Sequence, residues 1–268
     1  MENIYSTLAY QKLCEVPSMK VIKQSLFESL EPQNFIFGLR SHSTDFYGLY
    51  APFWLPNFIV QHSNYEKLES CLVELIKLTK AGGEAKKLEI RLPPYFYNDS
   101  IEMLNFIMEK YRFKQVNNAL WQMIYINDYK SGTLYEKGLR HSAKKVLKKT
   151  YNKEVIFKEV AQTDQKHIFF AYDLINENRK KNNTEIRYSK NYLIKLMSEF
   201  GEQIKIFTLQ IDTKIVAAAI CHKTTENIMY VASWGDHGHD LGYSPMYKFA
   251  SELVHYCIQE KYKYDWNE

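Results

Sequence analysis

The sequence lacks the features that mark several classes of protein. Its four cysteines, Cys14, Cys71, Cys221 and Cys257, form no CxxC pair and no cysteine–histidine cluster with the spacing of a metal site. We therefore predict no metal site. Three of them, Cys71, Cys221 and Cys257, lie in apolar patterns, which indicates buried thiols.

Long apolar runs are also absent. None approaches the roughly 20 residues that a membrane-spanning helix needs, and the N-terminal MENIYSTLAY lacks the basic and apolar regions of a signal peptide. We expect a soluble cytoplasmic protein. The motifs GxxxxGK[ST], GxGxxG, GxSxG and HExxH do not occur either, so the common nucleotide-loop, hydrolase and zinc-protease classes are set aside.

What is present is ordinary globular composition with many aromatic residues. The chain has 268 residues, enough for one large or two smaller domains, and 21 of them are tyrosine. The net charge of +4 is too small to indicate nucleic-acid binding by itself. Helix-like and strand-like segments alternate throughout, which predicts an α/β (α+β) fold in two halves, residues 1–130 and 131–268.

The periodicity of apolar residues predicts the individual elements. In the first half we expect strands at 35–39, 46–50, 87–92, 113–116 and 120–126, a helix opened by Ser63 and Glu66, and a helix from Asp99 or Ser100 to Tyr111. In the second half we expect a helix at 134–151, a strand at 155–160, helices capped by Thr163 and Ser189, and three strands before a helix that begins at Ser244-Pro245.

One predicted helix is strongly basic. The segment KGLRHSAKKVLKKTYNK, residues 137–153, contains seven Lys or Arg residues and no acid. Arg140, Lys144 and Lys148 are spaced by four and so share one face. This face could clamp the phosphates of a nucleotide cofactor or of RNA, or it could simply be a solvated surface opposite a buried stripe.

The loop WGDHGHDLGYSP, residues 234–245, concentrates polar groups before a helix. Ser244 is a natural helix cap, and a helix N-terminus favours an anion. Asp236 or His239 could act as a general base, as could His237 or Asp240, and Tyr243 could act as a general acid. The alternative is a polar surface loop that caps a structural helix.

Other candidate binding residues are aromatic or basic. Trp234 opens the loop, Arg179 and Tyr188 lie in a segment that joins two helices, and Trp54 lies in an aromatic run beside prolines. These side chains could line a cleft. They could equally be a basic surface loop and packing aromatics.

The order of these segments resembles the FemAB-like branch of the GCN5-related N-acetyltransferase (GNAT) superfamily. The resemblance runs from about Phe35 onward, through YAPFWLPNF, LEIRLPPYF, LRHSAKKVLKKTYNK, ENRKKNNTEIRYS and IMYVASWGDHGHDLGYSP. It implies two tandem GNAT-like folds with mixed central sheets flanked by helices. Members transfer an acyl or aminoacyl group from acyl-CoA or aminoacyl-tRNA to an amine. The family's strand-end loop matches Trp234 to Ser244, its basic helix matches Arg140 and Lys144, and its helix-pair motif matches Arg179 and Tyr188.

The resulting hypothesis is an acyltransferase that acts on an amine of a sugar or peptide precursor of the cell envelope. Asp236 or His239 would deprotonate the amine, and Ser244, Arg140 and Lys144 would bind the donor's phosphates. We expect no tightly bound cofactor and acyl-CoA as the donor substrate. The superfamily's pyrophosphate motif has no good match, which leaves two alternatives open: a tRNA-dependent peptidoglycan transferase, and a non-catalytic ligand-binding protein. A homodimer is left open too.

Overall fold

The computed structural model describes residues 4, 7–13, 19–25, 35–41, 46–49, 64–81, 87–90, 92, 94–95, 100–116, 122–186, 188–237 and 243–263. The chain divides into two compact units, Met1–Gln122 and Met123–Glu268, and each has its own sheet. None of the helices within these ranges combines the length and apolar character that crossing a membrane requires.

The first unit contains a mixed sheet. Its elements in chain order are α1 (Leu8–Leu13), β1 (Met19–Ser25), β2 (Phe35–Ser41), β3 (Phe46–Leu49), α2 (Tyr65–Ala81), β4 (Lys87–Ile90) and α3 (Ser100–Lys110). The strands lie in the order β1-β2-β3-β4. The first two pairs are antiparallel and β3 pairs with β4 in parallel. A parallel pair needs a crossover connection, which α2 supplies.

Helices α2 and α3 pack together through a small apolar core, because each carries apolar residues at helical spacing. Leu68 of α2 and Leu104 and Ile107 of α3 are buried in this core. At its solvent edge the Lys110 Nζ lies 2.6 Å from the Glu69 Oε1. The two helices are therefore joined by an interior contact and a surface ion pair.

The second unit contains an antiparallel sheet. Its elements are α4 (Gly132–Gly138), α5 (His141–Lys148), β5 (Val155–Glu159), α6 (Gln165–Lys181), α7 (Lys190–Phe200), β6 (Ile204–Ile211), β7 (Lys214–Lys223), β8 (Met229–Asp236) and α8 (Pro245–Lys263). Strands β5 to β8 are neighbours in sequence order and every pair is antiparallel. Helices α6 and α7 thus connect β5 to β6, and α8 follows β8.

Helices cover both faces of this sheet, because successive side chains of a strand point to opposite faces. On one face the side chains of Phe207, Ala219 and Cys221 form a buried core with Phe249 and Leu253 of α8. On the other face α6 packs on β7 and β8. Helices α4 and α5 contact α8, so they lie on the α8 side.

A bulge changes the alternation along β8. Tyr230 pairs with His222 and Ser233 pairs with Ile220, so three residues of β8 span the distance of two residues of β7. Ala232 is the extra residue. Tyr230 and Ser233 therefore face the same side of the sheet, although their spacing in a regular strand would put them on opposite sides.

Helix α6 approaches β8 closely at Gly235. A methyl group at this position would lie 2.9 Å from the Asn178 Cβ and 3.1 Å from the Ile175 Cα. The second neighbour is backbone, which cannot rotate away. Because Gly235 has no side chain, α6 can lie this close to the sheet.

Two helix caps differ from the sequence prediction. Asp164 caps α6 in place of Thr163: its carboxylate accepts from the His167 backbone N–H at 3.1 Å. Ser63 lies outside the described residues, and at the start of α2 the Asn64 Oδ1 accepts from the Glu66 N–H at 2.9 Å. The predicted cap of α7 is confirmed, because Ser189 accepts from the backbone N–H of the third residue after it.

The predicted helix at 134–151 is wrong as a single helix. It breaks into α4 and α5, because Gly138 ends the first and Leu139 is extended, with φ −64° and ψ 151°. The ammonium group of Lys144 donates to the carbonyl oxygen of Lys137 at 2.6 Å. This carbonyl lies in the last turn of α4, where carbonyl groups lack a hydrogen-bond partner within the helix.

The predicted strands at 113–116 and 120–126 are not found in the described residues. Residues 111–116 and 122–125 form no strand, and 126–128 form a short 3-10 helix. Val116 and Ile124 are exposed. Both segments alternate apolar and polar residues, but no strand of the described residues pairs with either one. Residues 120 and 121 of the second segment lie outside the described residues.

The fold class predicted from the sequence is confirmed. The chain is a mixed α/β protein, and helices flank the antiparallel sheet of its second unit. The predicted turns at 212–214 and 225–227 separate β6 from β7 and β7 from β8. Gly201 ends α7 with a positive φ of 50°, as its position predicts.

Gly235→Ala is expected to destabilise the second unit by about 1–3 kcal/mol, since the added methyl group meets the backbone of α6. The free energy of unfolding from urea titration measures the change. Gly138→Ala is the matched control, because its methyl group would meet nothing closer than the Tyr129 ring at 3.8 Å. Equal stability of the Gly235 and Gly138 variants would contradict the close approach.

Candidate functional site

The strongest candidate site lies where the C-terminal half of α6 meets the end of β8. Asp236 is the last residue of β8, and the side-chain amide of Asn178 donates to its carbonyl oxygen at 2.8 Å and to its Oδ1 at 3.2 Å. The same carboxylate is half-buried. One helix residue therefore fixes both the backbone and the side chain of the predicted base.

His237 follows Asp236 and is held by the same end of the sheet. Its backbone N–H donates to the Val216 carbonyl oxygen at 3.0 Å, and its Nε2 lies 3.9 Å from the Glu177 Oε2. Glu177 precedes Asn178 on α6. The last turns of α6 and the end of β8 thus bring acidic, amide and imidazole groups into one region.

Arg179, the next residue of α6, carries an unsatisfied buried donor. Its Nε is buried and has no hydrogen-bond partner. Within the described chain no carboxylate forms an ion pair with it, while its charge acts on the hydroxyls of Tyr188 and Tyr230. A guanidinium group is always charged and fits a carboxylate or phosphate with two donors. This arrangement is what an anion-binding residue requires.

Tyr188 lies beside Arg179 and is itself firmly placed. Its ring packs edge-on against Tyr172 at 6.2 Å, and the Tyr172 hydroxyl donates to its carbonyl oxygen at 2.6 Å. Burial raises the pKa of the Tyr188 hydroxyl, and the nearby hydroxyl of Ser233 on β8 opposes that rise only in part. Tyr188 is therefore a neutral hydroxyl at physiological pH and not a base.

His222 of β7 lies on the same face of the sheet. Its ring is 6.3 Å from that of Tyr230, its partner across the strands, and it is fully buried. Burial lowers its pKa to about 3 because the charged imidazolium would lose its hydration. A neutral imidazole thus backs the tyrosines that face Arg179.

The predicted general acid Tyr243 lies in a separate group. The Lys153 Nζ is 5.4 Å from the centre of its ring and 2.9 Å from the Asp212 Oδ2 in the turn between β6 and β7. Burial raises the pKa of the Tyr243 hydroxyl. Tyr243 and Asp236 have different neighbours, because Lys153 precedes β5 whereas Asn178 lies against β8 at the far edge of the sheet.

The start of α8 is where the sequence predicts it. The helix begins at Pro245, and the backbone N–H of Tyr247 lies 3.3 Å from the Ser244 carbonyl oxygen. Trp234 of β8 is 44% exposed, which leaves its ring open to a ligand. The role of either residue in binding stays a prediction.

The basic residues of α5 are not brought together with Arg179. Arg140 is exposed at the start of α5, and Lys144 is half-buried with its ammonium group on the Lys137 carbonyl oxygen. Helix α5 packs on α8, whereas α6 covers the opposite face of the sheet. The predicted donor-phosphate residues and the helix-pair residues therefore lie on different sides of the second sheet.

The sequence prediction missed several groups of this site and named others that cannot be placed. Trp54, His239 and Asp240 lie outside the described residues. Asn178, Ser233, Tyr230 and His222 were missed. Asn178 directly precedes Arg179, so its position in the sequence could have identified it as a site residue. The bulge in β8, which places Ser233 on the α6 side of the sheet, has no recognisable sequence pattern.

Comparisons with known proteins agree on the fold. No protein-family model matches the sequence, and neither does any curated protein. A solved structure of FemX superposes with a TM-score of 0.66 at 9% identity, and the match covers 96% of this chain and 81% of FemX. The fold is FemAB-like.

A second solved structure supports the same conclusion about the fold. It is the C-terminal domain of an Agrobacterium fabrum protein assigned as a lysylphosphatidylglycerol synthetase. It matches with a TM-score of 0.52 at 10% identity, over 97% of this chain and 72% of that domain. At such identities the likeness concerns the path of the backbone and not the site residues.

His222→Gln is expected to make stability less dependent on pH. The folded pKa of about 3 lies below the ordinary 6.5 of the unfolded chain, so the unfolded state binds the proton first and stability falls as the pH falls below 6.5. Between pH 7 and pH 5 the free energy of unfolding of wild type should fall by about 2 kcal/mol because of this group. The variant should not show this fall. Urea titrations at both pH values test this.

The exposed His141 provides the control for that measurement. His141→Gln should leave the pH dependence of wild type unchanged. If His222→Gln shows the same loss of stability on acidification as His141→Gln, then His222 is not the buried neutral group described above.

Proposed function

We propose that the protein is an N-acyltransferase that moves an acyl or aminoacyl group to an amine of a sugar or peptide precursor of the cell envelope. Two solved structures with this fold support the class, since one is FemX and the other belongs to a protein named for making an aminoacylated phospholipid. The observation that carries the proposal is the carboxylate of Asp236, which Asn178 holds by a hydrogen bond. The next residue of the same helix is Arg179, whose Nε is buried without a hydrogen-bond partner among the described residues.

The chemistry assigned to these residues is direct transfer. The amine nitrogen of the acceptor attacks the carbonyl carbon of the donor and loses a proton to the Asp236 carboxylate. The bond from that carbon to the donor's sulfur or oxygen then breaks, and the departing atom takes up a proton. A base held by a hydrogen bond is oriented before the substrate arrives, which is the condition for efficient proton transfer.

Arg179 would hold an anionic group of a substrate. An empty buried donor costs free energy that a phosphate or carboxylate recovers on binding. Tyr188 and Tyr230 feel the charge of Arg179 and are both kept neutral, because burial raises the pKa of each hydroxyl. They would therefore add neutral hydrogen-bonding groups to the anion site without repelling the ligand.

The donor is the finer question within this proposal. We propose acyl-CoA or aminoacyl-tRNA as a dissociable donor and no tightly bound cofactor. Tyr243 remains the predicted acid for the leaving group, and its raised pKa keeps the proton available at neutral pH. Its partners Lys153 and Asp212 belong to a different group from those of Asp236.

The test is to incubate the protein with acetyl-CoA or with charged tRNA, and with a stem peptide that has a free lysine amine or with an amino-sugar nucleotide. Mass spectrometry identifies the product. Asp236→Asn should lower kcat by roughly 10²–10⁴-fold, because the amide cannot accept the proton. Asp173→Asn is the matched control, since this exposed aspartate lies earlier on α6 and pairs with Lys190.

Two outcomes would contradict the assignment. Full turnover of the Asp236 variant would remove that residue as the base. Absence of turnover with every donor, combined with thermal stabilisation by one of them, would favour the alternative of a binding protein that has the fold without the reaction.

Substitutions at Arg179 test the anion site separately from the chemistry. Arg179→Met should raise KM for the anionic substrate at least 10-fold with a smaller effect on kcat, and Arg179→Lys should recover only part of the loss because it lacks the two-donor fork. Steady-state kinetics measure both constants. Lys180→Gln removes an adjacent exposed charge and should behave as wild type; an equal rise in KM would indicate a general charge effect.

A further inference from the structure

The outer surface of the α4–α5 pair carries several basic residues, and the proposed reaction uses none of its exposed lysines. Leu147 is buried and Val146 is half-buried, so these residues define the inner side of α5. Positions one-half turn away are on the outer side. The outer positions of α5 are occupied by His141, Lys145 and Lys148, and the half-buried Lys144 and the exposed Lys149 lie at the sides.

Most of these charges are not neutralised by the protein. Within the described chain Lys137, Arg140, Lys145 and Lys148 take part in no ion pair and no side-chain hydrogen bond. The one acidic residue of α4, Glu136, is directed toward α8, because its Oε1 accepts from the Ser251 hydroxyl at 2.6 Å and lies 3.6 Å from the His255 Nε2. The basic face, defined as Lys137, Arg140, His141, Lys145 and Lys148, therefore contains no carboxylate that pairs with its lysine and arginine side chains.

Exposed apolar side chains lie at the two ends of this segment. Leu134, one turn before Lys137 on α4, is 45% exposed, and Tyr151, just after α5, is 54% exposed. Helices that bind at a membrane surface combine lysine and arginine with leucine and aromatic residues in this way, and tyrosine favours the level of the lipid headgroups.

We propose that the basic face docks on an anionic phospholipid surface. The partner is identified by charge complementarity, since a row of cations without acids matches a continuous layer of phosphates. RNA fits less well, because single strands require several stacking aromatics and Tyr151 is the only exposed aromatic side chain (Phe, Trp or Tyr) between residues 132 and 151. This inference goes beyond the proposed transferase reaction and does not depend on it.

Docking by charge predicts how binding responds to salt and to mutation. Each lysine near an anionic surface contributes enough to change the binding constant about 5-fold. Removal of two lysines should therefore weaken binding roughly 25-fold, and binding should fall steeply as the Debye length shortens below about 10 Å at salt above about 0.1 M.

The experiment is cosedimentation of the full chain with vesicles. One set contains phosphatidylcholine with about one-third phosphatidylglycerol and the other contains phosphatidylcholine alone. We expect binding to the anionic vesicles only. Lys145→Gln with Lys148→Gln should weaken it roughly 25-fold, whereas the control pair Lys166→Gln and Lys195→Gln should change it little. The control lysines are equally exposed but lie on α6 and α7.

The control pair makes the result independent of net charge, because both double variants lose the same charge. Equal weakening by the two pairs would overturn the proposal, and so would equal binding to both kinds of vesicle. A competition arm adds unacylated tRNA: binding of tRNA through Lys145 and Lys148 without any binding to vesicles would assign the face to RNA instead. No arm uses turnover, so failure of the proposed reaction would leave the result interpretable.

Discussion

The contact between α6 and β8 at Gly235 is the constraint on which the candidate site depends. Because no side chain stands between Ile175 and the strand, the helix lies close enough for the amide of Asn178 to reach both the backbone and the carboxylate of Asp236. Arg179 is the next residue of the same helix. A change in that one separation would alter the base and the anion site together.

The sheet of the second unit separates two kinds of surface. On the α6 side, burial raises the pKa of Tyr188 and Tyr230 and lowers that of His222, so these buried groups are neutral, and the charge of Arg179 acts on both tyrosines. On the α8 side, α4 and α5 carry cations that remain hydrated. One surface is suited to binding one anionic group with defined geometry, and the other to many phosphates at once.

Much of the fold could be predicted from the sequence, because its signals are local. Ser189 as a cap, Gly201 as a helix stop and the turn at Asp212 each act within a few residues, and the structure has all three. Long-range effects were not predictable in this way. The apolar periodicity of 134–151 continues across Leu139 and did not reveal the break there. The apolar alternation near Val116 could not reveal that no described strand pairs with it. For the site, residue types identified Asp236, Arg179 and Tyr188, but their grouping depends on how α6 packs against the end of β8.

The bulge at Ala232 reverses the side-chain alternation of β8 relative to β7. Before the bulge, even-numbered residues of β8 such as Tyr230 pair with even-numbered residues of β7. After the bulge, even-numbered residues of β8 such as Trp234 pair with odd-numbered residues of β7. Ser233 and Gly235 consequently join Tyr230 on the α6 side, and Trp234 is turned to the α8 side. The single extra residue in β8 therefore decides which of its later side chains lie on the α6 side and which lie on the α8 side. The chemical nature of those side chains does not decide it.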